Sequence, residues 1–219
     1  MISPKPVSRR RFVLGAALAG AAGVGGTLVG RSTALAQQPS PDATGSDEIV
    51  EIPNDADFGF LIDMTAHHVQ ALDLCQRVIG SDTGDPVQAA AAEVLQTQAM
   101  EVGQMRAWLT DWGQSTAPPE TVMMWMHDGQ MCMPLGMMPG YATSAELKAL
   151  SLADGLAKGR MFLELMHAHH VGGVAMAEAA TMLAATTKVR RLAQAQAQVQ
   201  TFEIAQYDLL LSTTYAAAV

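Results

Sequence analysis

Apolar side chains recur three and four residues apart in four long stretches of this chain, and each stretch ends at Gly, Pro or a polar cluster. Positions so spaced share one face of a helix. The pattern predicts helices over about Asp57–Ile79, Pro86–Trp112, Asp154–Ala184 and Thr187–Ser212. Asn54 or Asp55 can cap the first, and Asp85 can cap the second with Pro86 as its first helical residue. "TSAE" (143–146) has the form of a capping box and predicts a short lead-in helix before the third. The connections "GSDTGD" (80–85) and "AATT" (184–187) are short, so each helix pair runs antiparallel. Two such hairpins make an all-α four-helix bundle.

The hairpins are copies of one another. "MTAHHVQAL" (64–72) and "MHAHHVGGV" (166–174) agree at Met, Ala, His, His and Val, an offset of 102 residues. The same ungapped offset aligns Phe60 with Phe162, Leu61 with Leu163, Gln98 with Gln200, Glu101 with Glu203 and Gln104 with Gln206. An internal repeat of this kind implies two equivalent supersecondary units.

The 219 residues divide accordingly into 1–36, 37–53 and 54–219, the last made of a first repeat (54–112), a connection (113–142) and a second repeat (143–219). The opening segment sets Arg9 and Arg10 after Ser8 and before Phe12, continues as a weakly apolar Gly-rich run, and offers "ALA" (34–36) as a cleavage site. It reads as a twin-arginine export signal, with an uncleaved anchor as the alternative. Residues 37–53 are polar, acidic and Pro-bearing, as expected of a flexible linker. With the signal leave Lys5, Arg9, Arg10, Arg11 and Arg31 and no acidic residue, so eight basic residues remain against twenty-one acidic, net −13. Such a surface disfavours nucleic acid and anionic lipid and favours cations. The expected location is the periplasm or the cell exterior. No nucleophile–base arrangement and no phosphate loop is present, so no enzymatic activity is expected.

The connection 113–142 is long for a compact domain, which points to function. Its segment "MMWMHDGQMCMPLGMMPG" (123–140) holds seven of the fifteen methionines, together with His127 and Cys132. Thioethers gathered beside one His and one Cys suggest capture of a soft metal ion by His127, Met131, Cys132, Met133, Met137 and Met138. The competing reading is a hydrophobic lid or a partner surface. Cys75 and Cys132 could form a disulfide in an oxidising compartment, or Cys132 could bind metal.

All six histidines fall in the connection or in the two repeated patches. Met64, His67, His68 and Ala71 share one helical patch, and Met166, His169, His170 and Gly173 share its counterpart, with small residues leaving room above each. His167 precedes His170 by three positions and widens the second cluster, while His169 looks toward Met176. Imidazole with thioether suits copper, above all Cu(I), and resembles sites for Ag(I); facing His pairs could also hold Cu(II), Ni(II) or Zn(II). A single His on an apolar face is usually a core residue with a hydrogen-bond partner, but two duplicated adjacent pairs are hard to accommodate for packing alone. Glu101 and Glu203 are equally readable as acceptors orienting those imidazoles, as ligands or as plain structure. His167, with Thr65 at its aligned position, is either an extra ligand or a surface histidine.

These residues resemble the family called domain of unknown function 305. The resemblance rests on "FLIDMTAHHVQALDL" and "MFLELMHAHHVGGVAMA", each followed by a Q-x-x-E helix, and on the linking "GMM" (136–138). It implies an exported ferritin-like four-helix bundle and includes copper-binding proteins of the CopM type. The metal residues it implies are Met64, His67, His68, Met166, His169, His170 and Met176, with Met137 and Met138 in the linking motif. The Pro that often precedes the pair is Ala66 and Ala168 here, and Leu74 stands opposite Met176.

The expectation is therefore an exported protein that binds copper for buffering, resistance or delivery, with metal ions and another exported copper protein as partners. Two other classes compete. "ELMH" (164–167) matches the E-x-x-H element of di-iron oxidases, although Ile62 and Thr65 occupy the aligned places in the first repeat. A structural or partner-binding bundle is the third reading. Oligomeric state is not legible in the sequence.

Overall fold

The computed structural model describes residues 50–126, 130 and 132–218. The expected signal segment 1–36, the expected linker up to residue 49, and His127 and Met131 lie outside the described residues. The order is α1 (Asp55–Gln76), α2 (Asp85–Asp111), β1 (Thr121–Val122), β2 (Met133–Pro134), α3 (Ser144–Leu152), α4 (Gly155–Leu183) and α5 (Thr187–Ser212). The protein is an all-α bundle in which α1 pairs with α2, α4 pairs with α5, and α1 packs against α4.

Local chemistry sets the boundaries. Asn54 caps α1: its side chain accepts from the Asp57 amide at 3.0 Å, and the Asp57 carboxylate accepts from the Asn54 amide at 2.9 Å. The same buried carboxylate accepts from the amides of Ala185 at 2.9 Å and Thr186 at 3.1 Å. One side chain thus starts the first hairpin and ties it to the turn of the second. Asp85 is not the cap of α2; Gly84 is, at φ 88°, and Asp85 is the first helical residue. The tight turn needs a left-handed residue there, which glycine adopts without a Cβ penalty. The Thr143–Glu146 capping box of α3 is formed in both directions. No described helix is long and apolar enough to cross a membrane.

The connection between the hairpins is ordered where it is described. β1 and β2 form a two-stranded antiparallel ribbon with Thr121 opposite Pro134 and Val122 opposite Met133. Its near end is anchored by Asp63 of α1, whose carboxylate accepts from the Met123 amide and from Trp125 Nε1, both at 2.8 Å. Its far end lies directly on α4. A Cβ on Gly140, at φ 76°, would collide with the Ala168 carbonyl oxygen and come within 2.7 Å of His169 Cα, and one on Gly172 would collide with the Pro139 carbonyl. Glycine at both places lets the backbones touch.

The core has two apolar clusters. One holds Phe60, Leu61 and Met64 of α1, Met105 and Leu109 of α2, Met176, Ala177, Ala179 and Ala180 of α4 and Val189 and Ala193 of α5. The other holds Ala71, Leu74 and Cys75 of α1, Val78 in the turn after it, Val87, Ala91 and Val94 of α2, Phe162, Leu163 and Met166 of α4 and Tyr207 of α5. Between the two clusters every long helix carries buried polar residues: Thr65, His67, His68 and Gln70 on α1, Gln98 on α2, His169 and His170 on α4, and Gln196, Gln200 and Glu203 on α5. That layer carries the histidine pairs.

Candidate metal centre

Adjacent helical residues point about 100° apart, so a buried His-His pair needs a neighbour on two sides. α1 has α4 on one side and α2 on the other. His67 turns to α4, where its ring stacks on His169 with centroids 3.6 Å apart and planes inclined by 29°. His68 turns to α2, where its Nε2 lies 2.7 Å from Glu101 Oε2. The second repeat reproduces this: His170 Nε2 lies 2.7 Å from Glu203 Oε2 on α5. All four imidazoles are fully buried.

The acceptors fix the tautomers. His169 Nε2 lies 3.0 Å from the His67 carbonyl oxygen, and His67 Nε2 lies 3.4 Å from the Pro139 carbonyl oxygen. A carbonyl oxygen can only accept, so each Nε2 donates and carries the proton. His68 and His170 donate through the same atom to carboxylates. The Nδ1 atoms of all four rings are then buried without a partner. Burial, and after it the neighbouring imidazoles, hold His67 and His169 well below the ordinary histidine range, so both rings are neutral with a free lone pair.

This is the arrangement in which histidine binds metal: one nitrogen orients the ring by donating to a carboxylate or carbonyl, and the other faces the ion. Among the described residues no three His, Cys, Asp or Glu donors already converge on one point. Thioether sulfur is a further donor type available beside the layer. Met64 and Met176 share the apolar cluster on one side of the layer, together with Met138, and Met166 lies in the cluster on the other; all four are buried. Imidazole with thioether is a donor set for a soft ion.

A family model described as "Domain of unknown function (DUF305)" matches residues 57–211. The chain belongs to the DUF305 family. A DUF305 protein from Streptomyces coelicolor, provisionally described as secreted, is 35% identical over 74% of this chain and 95% of its own, with a TM-score of 0.66. A DUF305 fragment from Deinococcus radiodurans is 30% identical over 73% and 97%, with a TM-score of 0.61. CopM in its Cu(II)-bound form is 26% identical over 73% and 97%, with a TM-score of 0.57. No curated protein matches the sequence.

Within this DUF305 bundle the other expected residues are dispersed. His167 is not part of the buried layer; it faces α5 at the surface, with Nε2 3.2 Å from Asp208 Oδ1. Glu164, the acid of the E-x-x-H element, is half exposed and pairs with Arg160 at 2.8 Å. Cys75 is buried and Cys132 exposed, both as free thiols, so the two are not paired. Burial pushes the Cys75 thiol up to about 12, which leaves it protonated. Met137 is exposed and Met133 partly buried. In the connection Met123, Met126 and Met138 pack into the bundle. Of these thioethers Met138 is both core and candidate donor, because the ribbon folds the connection back over apolar surface.

The space expected above Gly173 is occupied: a Cβ there would collide with Gln200 Oε1. Gln98, Gln196 and Gln200 are buried in the same layer with amide atoms lacking partners, as is the Tyr207 hydroxyl. The Gln196 amide lies 3.5 Å from His68 Nε2, and the Tyr207 ring meets His170 edge-on at 5.4 Å. Gln196, Gln200, Glu203 and Tyr207 follow each other at spacings of four, three and four, the stripe of one helix face. That spacing was the available signal for them. Between α2 and α5 a narrow crevice lined by Gln98, Glu101, Gln200 and Glu203 opens on the layer.

Proposed function

We propose that this protein is an exported copper-binding protein without enzymatic activity, which holds copper, with Cu(I) favoured over Cu(II), and also accepts Ag(I), for buffering, resistance or delivery to another exported protein. The observation that carries this is the set of four buried imidazoles, each oriented through Nε2–H and each with an unpartnered Nδ1. Unsatisfied buried nitrogen is costly, and four such atoms in one layer call for an occupant that accepts lone pairs. His67, His68, His169 and His170 would supply nitrogen, and Met64, Met166, Met176 and Met138 sulfur. The α2–α5 crevice, lined by two carboxylates in an acidic protein, attracts cations to the layer.

CopM, solved in Cu(I)-, Cu(II)- and Ag-bound forms, supports the choice of metal. The oxidase alternative is less well supported, because Glu164 and His167 point away from the layer and are engaged with Arg160 and Asp208.

The test is titration of the metal-free protein with Cu(I) in the presence of a competing chelator, read with X-ray absorption for sulfur against nitrogen ligation. Mixed sulfur and nitrogen ligation is expected, lost when His67, His68, His169 and His170 are all replaced by Ala. Unchanged copper binding by that variant would overturn the proposal, and stoichiometric iron with little copper in protein from its native compartment would favour the oxidase.

A further inference from the structure

Among the positions at which the two repeats differ is one pair that makes a contact in only one of them. Offset by 102, Thr65 corresponds to His167 and Arg106 to Asp208. In the second repeat that pair is the surface contact of His167 with Asp208. In the first repeat the corresponding place is covered by the connection, and a cavity of about 220 Å³ lies beneath it. Its walls are mostly apolar, with Ile62, Val69, Leu135 and Tyr141 among them.

Two polar side chains among the wall residues have no hydrogen-bond partner among the described residues. Thr65 Oγ1 is buried without a partner. A helical threonine ordinarily satisfies its hydroxyl on the carbonyl four residues back, as Thr110 does here on Arg106. The Arg106 guanidinium, which also lines the cavity, makes no hydrogen bond or ion pair with a described residue. Its equivalent in the other repeat is an acid, Asp208, which there pairs with His167.

We propose that this cavity binds a small organic monocarboxylate with an apolar body. The apolar body lies against Ile62, Val69 and Leu135, the carboxylate accepts from Arg106, and the Thr65 hydroxyl supplies one further hydrogen bond. An apolar hollow with a few convergent polar groups is the usual form of a small-molecule site. Guanidinium presents paired donors that match a carboxylate, which selects an anion over a neutral ligand of the same shape. The site is independent of the histidine layer, and metal-free protein suffices to examine it.

The probe is benzoate, titrated into metal-free protein and followed by amide chemical shifts, with benzamide as the neutral match. Benzoate should saturate, with Kd of roughly 1 mM for so small a ligand, and shift the amides of Thr65 and Leu135. Benzamide should bind about tenfold more weakly. Arg106→Gln should lose about the same factor while Arg106→Lys keeps most of the affinity, and Thr65→Val should weaken binding about fivefold. Arg106 is exposed, so these variants should fold, which circular dichroism checks. Equal binding of benzoate and benzamide, equal binding by Arg106→Gln, or no saturable shift at Thr65 would each overturn the proposal.

Discussion

His169 donates its Nε2 proton to the backbone carbonyl of His67, the residue at its own position in the other repeat, while the two rings stack at 3.6 Å. The contact lies where α1 crosses α4, at the centre of the duplicated structure. Two rings so placed cannot both carry a proton at acceptable cost, because they are buried and repel one another.

Stability of the metal-free protein should therefore fall in acid. Both imidazoles are depressed below their ordinary value of 6.5, so below that pH the unfolded chain binds protons that the folded state refuses. The contribution is complete above about pH 6.5 and is lost as pH falls, with a slope of up to about 2.7 kcal/mol per pH unit for two groups. Asp63 acts in the opposite sense. Burial raises it from 3.8 to about 6 against the pull of its two hydrogen bonds, so its protonation between those values favours the folded state. Urea unfolding at a series of pH values should show the loss, and Asp63→Asn should make it steeper below about pH 6.

Glu101→Gln and Glu203→Gln should lower copper affinity by about 10–100-fold each while the bundle still folds, since they orient His68 and His170 rather than bind the ion in the proposed site. Glu203→Ala should in addition cost about 1–3 kcal/mol, because it leaves the fully buried His170 Nε2 without an acceptor. Competition titration and denaturant unfolding separate the two effects. Equal copper affinity in both Gln variants and the parent would remove the carboxylates from the metal site.

His167→Thr should leave copper binding unchanged within about twofold. The residue is partly exposed and its partner Asp208 is on the surface. The same titration decides, and a tenfold weakening would return His167 to the ligand set.

Gly140→Ala and Gly172→Ala should each destabilise the protein by about 3 kcal/mol, through the left-handed conformation at the first and backbone collision at both. The connection would then lift from α4, and His67 would lose the Pro139 carbonyl. Thermal unfolding measures the cost, and a change below about 0.5 kcal/mol would show that the close approach is not needed.

The periodicity of apolar residues, one capping box and the cap residues before the first two helices were enough to place five helices, with ends that shifted by a few residues at most. Gly84 displaced Asp85 as a cap because turn conformation is set by the preceding loop, which periodicity does not describe. The offset of 102 likewise exposed the His pairs, their preceding methionines and the repeated Glu101 and Glu203. Less of the site was legible than of the fold. Gln196 and Tyr207 have no counterpart in the first repeat, where Val94 and Met105 stand, so repetition could not flag them.

What the sequence determined by itself is what depends on near neighbours along the chain: helical period, caps, the duplication, and which residue types recur. Tertiary structure alone decided which side of each helix meets which partner. It sent His67 to His169 and His68 to Glu101, put His167 on the surface, and packed three methionines of the connection into the core. The reason is that a helix repeats every 3.6 residues but is buried only where another element covers it, and which element covers it is a property of the whole bundle.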